Sequence, residues 1–133
     1  MKKILVWLLF IAAIASCKKE DTTPPPDPVE KTYTVEYRLT ASARANTTLS
    51  GDITYVSKVS PTSIVTFSGG QWTVTESAWK LKAGDIVGFE VPLLNMGSYE
   101  ARLFVNGIRV GYEALTNYVG PSPYRVFLQH KIE

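Results

Sequence analysis

From Lys31 onward the chain alternates apolar and polar side chains with period two, and the 3.6-residue period of a helix never appears. Tyr33, Val35, Tyr37, Leu39 and Ala41 alternate with Thr32, Thr34, Glu36, Arg38 and Thr40. A strand points successive side chains to opposite faces, so this pattern predicts a half-buried strand. Gly51 opens a second strand, Asp52 to Lys58, which Pro61 ends. Ile64, Val65 and Phe67 mark a third. Gly69-Gly70 then predicts a hairpin into Gln71–Thr75, with Trp72 and Val74 on one face. Trp79 to Lys82 leads through an Ala83-Gly84-Asp85 turn into Ile86–Val91, which Pro92 is expected to close. Tyr99, Ala101, Leu103 and Val105 alternate up to Asn106-Gly107, the strongest turn signal in the chain. Ile108, Val110, Tyr112 and Ala114 return from it. Asn117 to Pro123 reads as a loop, and Tyr124 to Ile132 as the last strand. Seven to nine short strands spaced by about 8–12 residues predict an all-β, antiparallel β-sandwich with immunoglobulin-like layers.

The first thirty residues do not share this pattern. Lys2 and Lys3 precede an apolar run from Ile4 to Ile14. As a helix its 11 residues reach roughly 16 Å, about half of a 30 Å hydrocarbon core. That is the layout of a cleavable signal peptide, assigned to residues 1–16. Cys17 follows, the single cysteine among 133 residues, so no disulfide framework is available. Residues 17–30 hold Pro24, Pro25, Pro26 and Pro28 and read as a polyproline-like linker. Residues 31–133 remain as one sandwich domain, whose core must suffice without cross-links.

Ile14-Ala15-Ser16-Cys17 resembles the lipobox of bacterial lipoproteins. The resemblance implies cleavage before Cys17 and a diacylglycerol on its sulfur, with Ile14, Ala15 and Ser16 as the recognition residues. Several acyl chains hold a protein on a membrane where one does not. Lys19-Glu20-Asp21 after that cysteine resembles the surface-export signal of Bacteroidetes lipoproteins. This implies an outer-membrane anchor, periplasm-facing or displayed at the cell surface. Asp21-Thr22-Thr23 is similar to that phylum's O-glycosylation pattern, and Asn46-Thr47-Thr48 matches an N-glycosylation sequon.

Trp79 to Asp85 and Tyr99 to Ile108 together are similar to MmpS-like domains, small immunoglobulin-like sandwiches that act as accessory proteins of lipid transporters. The likeness spans roughly thirty domain residues, and the paired domain cysteines of that family are absent here. It implies the sandwich and an envelope protein as partner.

Few residues carry chemistry. His130 is the one histidine and faces inward by alternation; a nucleophile–base pair would have to rest on it alone, and zinc would need more His or Cys ligands. Asp52, Asp85, Glu90 and Glu100 are the carboxylates to weigh for glycoside hydrolysis. Asp85 fits a turn, and Glu90 and Glu100 fall at solvent-facing positions. Without residues 1–16 the chain has twelve basic and twelve acidic side chains and no basic stripe, which argues against a nucleic-acid partner. No cofactor or metal is expected. Trp72 and Tyr118 are the candidate ligand-contact aromatics. The expectation is a non-catalytic interaction module on the membrane through its lipid, binding another envelope protein or a transporter. The alternative is a surface glycan-binding module.

Overall fold

A computed structural model describes residues 24–44, 50–93, 97–119 and 124–133. These form eight strands and no helix: β1 (Lys31–Ala43), β2 (Ser50–Tyr55), β3 (Ser63–Ser68), β4 (Gln71–Leu81), β5 (Ile86–Leu93), β6 (Gly97–Val105), β7 (Ile108–Tyr118) and β8 (Tyr124–Lys131). Two antiparallel four-stranded sheets pack as a sandwich. The first has the order β4-β1-β6-β7 and the second β3-β2-β5-β8. The two-layer architecture agrees with the sequence reading. The strand order differs from a constant-type immunoglobulin domain, whose first two strands pair in one sheet, because β1 and β2 lie in different sheets.

The inward face of each strand supplies the core. Val35, Tyr37 and Leu39 of β1 and Ala101 and Leu103 of β6 are sealed against Ile53, Val87, Phe89 and Val126 of the second sheet. Four rings fill the centre. Tyr37 lies 5.6 Å from both Tyr55 and Phe89, and Trp72 closes the set at 5.6 Å from Tyr55 and 5.9 Å from Phe89. The Tyr37 hydroxyl donates to the Val56 carbonyl at 2.6 Å, so its one polar atom is satisfied inside the core.

The turns follow local chemistry. Asn106 and Gly107 both have positive φ and join β6 to β7 as a two-residue hairpin, with Val105 opposite Ile108. The Asn106 side chain also accepts from the Thr34 N–H at 2.8 Å, while its own N–H donates to the Thr34 carbonyl. That exchange sits beside a bulge where β4 sets two residues, Ser77 and Ala78, against Thr34, with Ala78 at φ 53°.

Five expectations need correction. The second strand ends at Tyr55 rather than Lys58, because the chain turns there with the Ser57 N–H donating to the Ser60 carbonyl. Gly69-Gly70 is not a hairpin: β3 and β4 belong to different sheets, and the pair turns the chain across the sandwich while the Gly70 carbonyl accepts from Ala41. Gln71–Thr75 and Trp79–Lys82 are one strand, because the Ala78 bulge absorbs the break in alternation. Pro92 does not end β5, which runs on to Leu93. Its pairing with β2 covers Thr54 and Tyr55 alone, short of Pro92, so a missing N–H is tolerated there. Asn117 and Tyr118 are not loop residues: Asn117, at φ 53°, forms a bulge that carries β7 through to Tyr118 opposite Gly97.

Candidate functional site

The second sheet exposes three large apolar side chains, Ile64, Ile86 and Phe127, on its outer face. Antiparallel register places Ile64, Thr54, Glu90 and Phe127 directly opposite one another across all four strands. Directly opposite residues share a face, so this is one continuous row. Its ends are apolar and open: Ile64 is 67% and Phe127 54% exposed. Ile86, also exposed, extends the apolar surface along β5. Between these side chains lies a shallow groove of about 130 Å³, lined by Val56, Pro61, Ile86, Gly88, Phe127 and Gln129 among others.

Gly88 makes the floor of this groove low. A Cβ at that position would stand 2.5 Å from the Leu128 carbonyl oxygen, so β5 and β8 can approach only with glycine there. Thr54 and Glu90 also line the groove. Arg125 bonds the Glu90 carboxylate, and Asp52 accepts from the Thr66 hydroxyl at 2.8 Å. The row thus has an apolar side chain at each end, with the Thr54 hydroxyl and the ion-paired Glu90 between them.

Larger hollows of about 360 and 470 Å³ lie where the chain enters the domain, around residues 56–61 and beside Ile132. Their polar groups serve local structure. The Ser57 hydroxyl bonds Ser63 at 2.8 Å and accepts from the Ser60 N–H at 3.1 Å, while the Asp85 carboxylate accepts from the Lys82 N–H at 2.8 Å.

The residues singled out from the sequence fall as follows. Ile14, Ala15, Ser16 and Cys17, together with Lys19, Glu20 and Asp21, lie outside the described residues, as do residues 46–48. Trp72 is half-buried, with its ring in the core cluster rather than on the surface. Tyr118 is also half-buried and packed on the core. They sit on β4 and β7, opposite edges of the first sheet with two strands between them, and are offset along the strands as well, since Trp72 is level with Ala101 and Tyr118 with Gly97. They therefore do not form one platform.

Glu90 and Glu100 lie on the outer faces of opposite sheets, and each is ion-paired to an arginine, Arg125 and Arg102 respectively. His130 is half-buried on the inward face of β8, opposite Val87. Among the described residues no three side chains gather as metal ligands. The exposed rings of Phe127 and Tyr112 escaped the sequence reading. Phe127's signal is register between strands far apart in sequence, and Tyr112's is the bulge in β7 that turns it outward. No family model matches the chain, and a comparison with curated proteins finds no match.

Proposed function

We propose that this chain is a lipid-anchored protein of the bacterial cell envelope, and that its sandwich is a non-catalytic module that docks on another envelope protein. The observation that carries the docking half is the Ile64–Thr54–Glu90–Phe127 row with its apolar groove. Ile64, Ile86 and Phe127 expose apolar side chains on this one sheet face, and a groove beside Ile86 and Phe127 could seat a partner's side chain. The anchoring half rests on Cys17 behind the apolar run of residues 4–14 and on the exposed, proline-rich stretch that enters β1. Placement in the outer membrane, with export to the cell surface directed by Lys19-Glu20-Asp21, belongs to the same proposal. So does an accessory role beside a transporter, as the MmpS-like resemblance implies. The proposal assigns no catalytic role to the carboxylates, since Glu90 and Glu100 are each ion-paired on an open sheet face.

Two measurements test it. Intact mass of the membrane-extracted protein is expected to show loss of residues 1–16 and a diacylglyceryl adduct, both absent from Cys17→Ser. An unmodified wild-type N-terminus would refute the anchor. A photo-crosslinking residue at Ile64 or Phe127 is expected to trap a discrete protein adduct in native membranes, whereas one at Thr75, exposed on the other sheet, is not. Equal labelling from both faces would refute the docking surface.

A further inference from the structure

The outer face of the first sheet carries a different kind of hollow. A trough of about 290 Å³ runs over Ala114 of β7, between Tyr112 at one end and Thr116 at the other. Its side is formed by Thr40 and Ser42 of β1 and by Ser98 and Glu100 of β6. Thr40, Glu100 and Ala114 stand directly opposite one another, which fixes the floor.

Two bulges in β7 create this arrangement. The first, at Val110–Gly111, reverses the phase of alternation, so Tyr112 points outward and is 51% exposed. The second, at Thr116–Asn117, closes the far end, where the Asn117 N–H donates to the Ser98 hydroxyl at 3.1 Å. That hydroxyl keeps its own proton to donate. Arg102 makes both of its bonds to a single oxygen of Glu100, at 3.0 and 2.5 Å on Oε1. Oε2, the other acceptor of that charged group, carries no hydrogen bond among the described residues.

We infer that this trough binds a neutral hexopyranose unit of a glycan, stacked on Tyr112 and hydrogen-bonded through Glu100. A pyranose has an apolar C–H face and a rim of hydroxyls. The Tyr112 ring matches the face, because its negative π surface attracts the weakly positive C–H groups. Glu100 Oε2 accepts from a ring hydroxyl, and charge makes that bond strong. Thr40, Ser42, Ser98 and Thr116 supply short hydroxyls that both donate and accept.

Charge selects against the alternatives. Glu100 Oε2 accepts from a hydroxyl and repels a carboxylate set directly against it, while Arg102 and Arg109 offset its charge at longer range. Arg109 covers one face of the Tyr112 ring, 4.9 Å from its centroid, so the sugar would stack on the other face, where a cationic ligand would be repelled. Position also fits. Thr40 is nine residues along β1 from Lys31, about 30 Å away from where the linker joins, so the trough lies toward the end of the sandwich held away from the anchor. The inference stands apart from the docking surface, which occupies the other sheet.

The test uses the full-length protein in detergent micelles and a panel of methyl glucoside, methyl galactoside, methyl mannoside and N-acetylglucosamine, read by saturation-transfer NMR. At least one is expected to receive saturation, and methyl glucuronide no more than the neutral sugars. Tyr112→Ala and Glu100→Gln are each expected to weaken binding about tenfold, while Tyr112→Phe and the distant Thr75→Ala leave it within about twofold. Far-UV circular dichroism checks that each variant is folded. Silence from the whole panel overturns the inference, as does a signal that survives Tyr112→Ala or a preference for the glucuronide. None of these outcomes touches the lipidation or cross-linking results.

Discussion

Tyr37 shows how a single residue links packing to pH. Its ring is fully buried and its hydroxyl bonds the Val56 carbonyl. Burial pushes the phenol above its ordinary value of 10.0. The folded chain therefore keeps this proton at a pH where the unfolded chain has lost it. The resulting stability is complete below pH 10 and falls as pH rises further. Tyr37→Phe removes both the titration and the hydrogen bond. The variant is expected to be less stable by about 1 kcal/mol at neutral pH. That gap should narrow above about pH 10. Urea unfolding of both proteins at neutral and alkaline pH measures it, and parallel pH profiles would exclude Tyr37 as the source.

Among the elements, β5 is the least tolerant of change. Val87, Phe89 and Val91 face the core, while Gly88 lets β8 close against its back. Gly88→Ala is expected to cost about 1–3 kcal/mol through overpacking, read as a lower denaturation midpoint. Gly51→Ala meets its nearest neighbour, the Pro92 carbonyl oxygen, at 3.4 Å and is expected to cost less than half as much.

Legibility in the sequence also divides by element. β1 and β6 are central strands with one wholly buried face, so burial enforces strict alternation and their inward residues could be read directly. Asn106-Gly107 was equally legible, because positive φ at two successive residues selects that dipeptide. Gly69-Gly70 misled for a related reason: Gly69 adopts φ 113° in a crossing between sheets, and glycine tolerates such a backbone whether the next strand pairs or departs. The trough was hidden altogether. Tyr112 follows Ile108 and Val110 in unbroken alternation, and only the bulge at Val110–Gly111 turns it outward. Phe127 lay in a plain alternating strand, but its place in a row with Ile64 depends on pairings across sixty residues.

At the scale of the whole molecule, the tether and the sandwich are nearly independent. Residues 24–30 are exposed and without strand structure, and their described ion pair is a 3.8 Å contact from Lys82 to Glu30. Such a surface pair contributes little. Deleting residues 20–30 is therefore expected to leave the thermal midpoint of the domain unchanged within about 2 °C. A drop of several degrees would mean that the tether packs on the domain.

The strand order carries a further consequence. Of the seven connections between consecutive strands, two are hairpins, β2–β3 and β6–β7, and five cross from one sheet to the other. Neither sheet can be assembled from one continuous stretch of chain, since β1 must wait for β6 and β2 for β5. Contacts between partners so distant in sequence form late, after the entropy of closing long loops has been overcome. For a protein proposed to leave the cytoplasm before it works, such slowness is useful. The chain stays threadable while it is being handed across a membrane, and its fold becomes reachable only when the last strands have arrived on the far side.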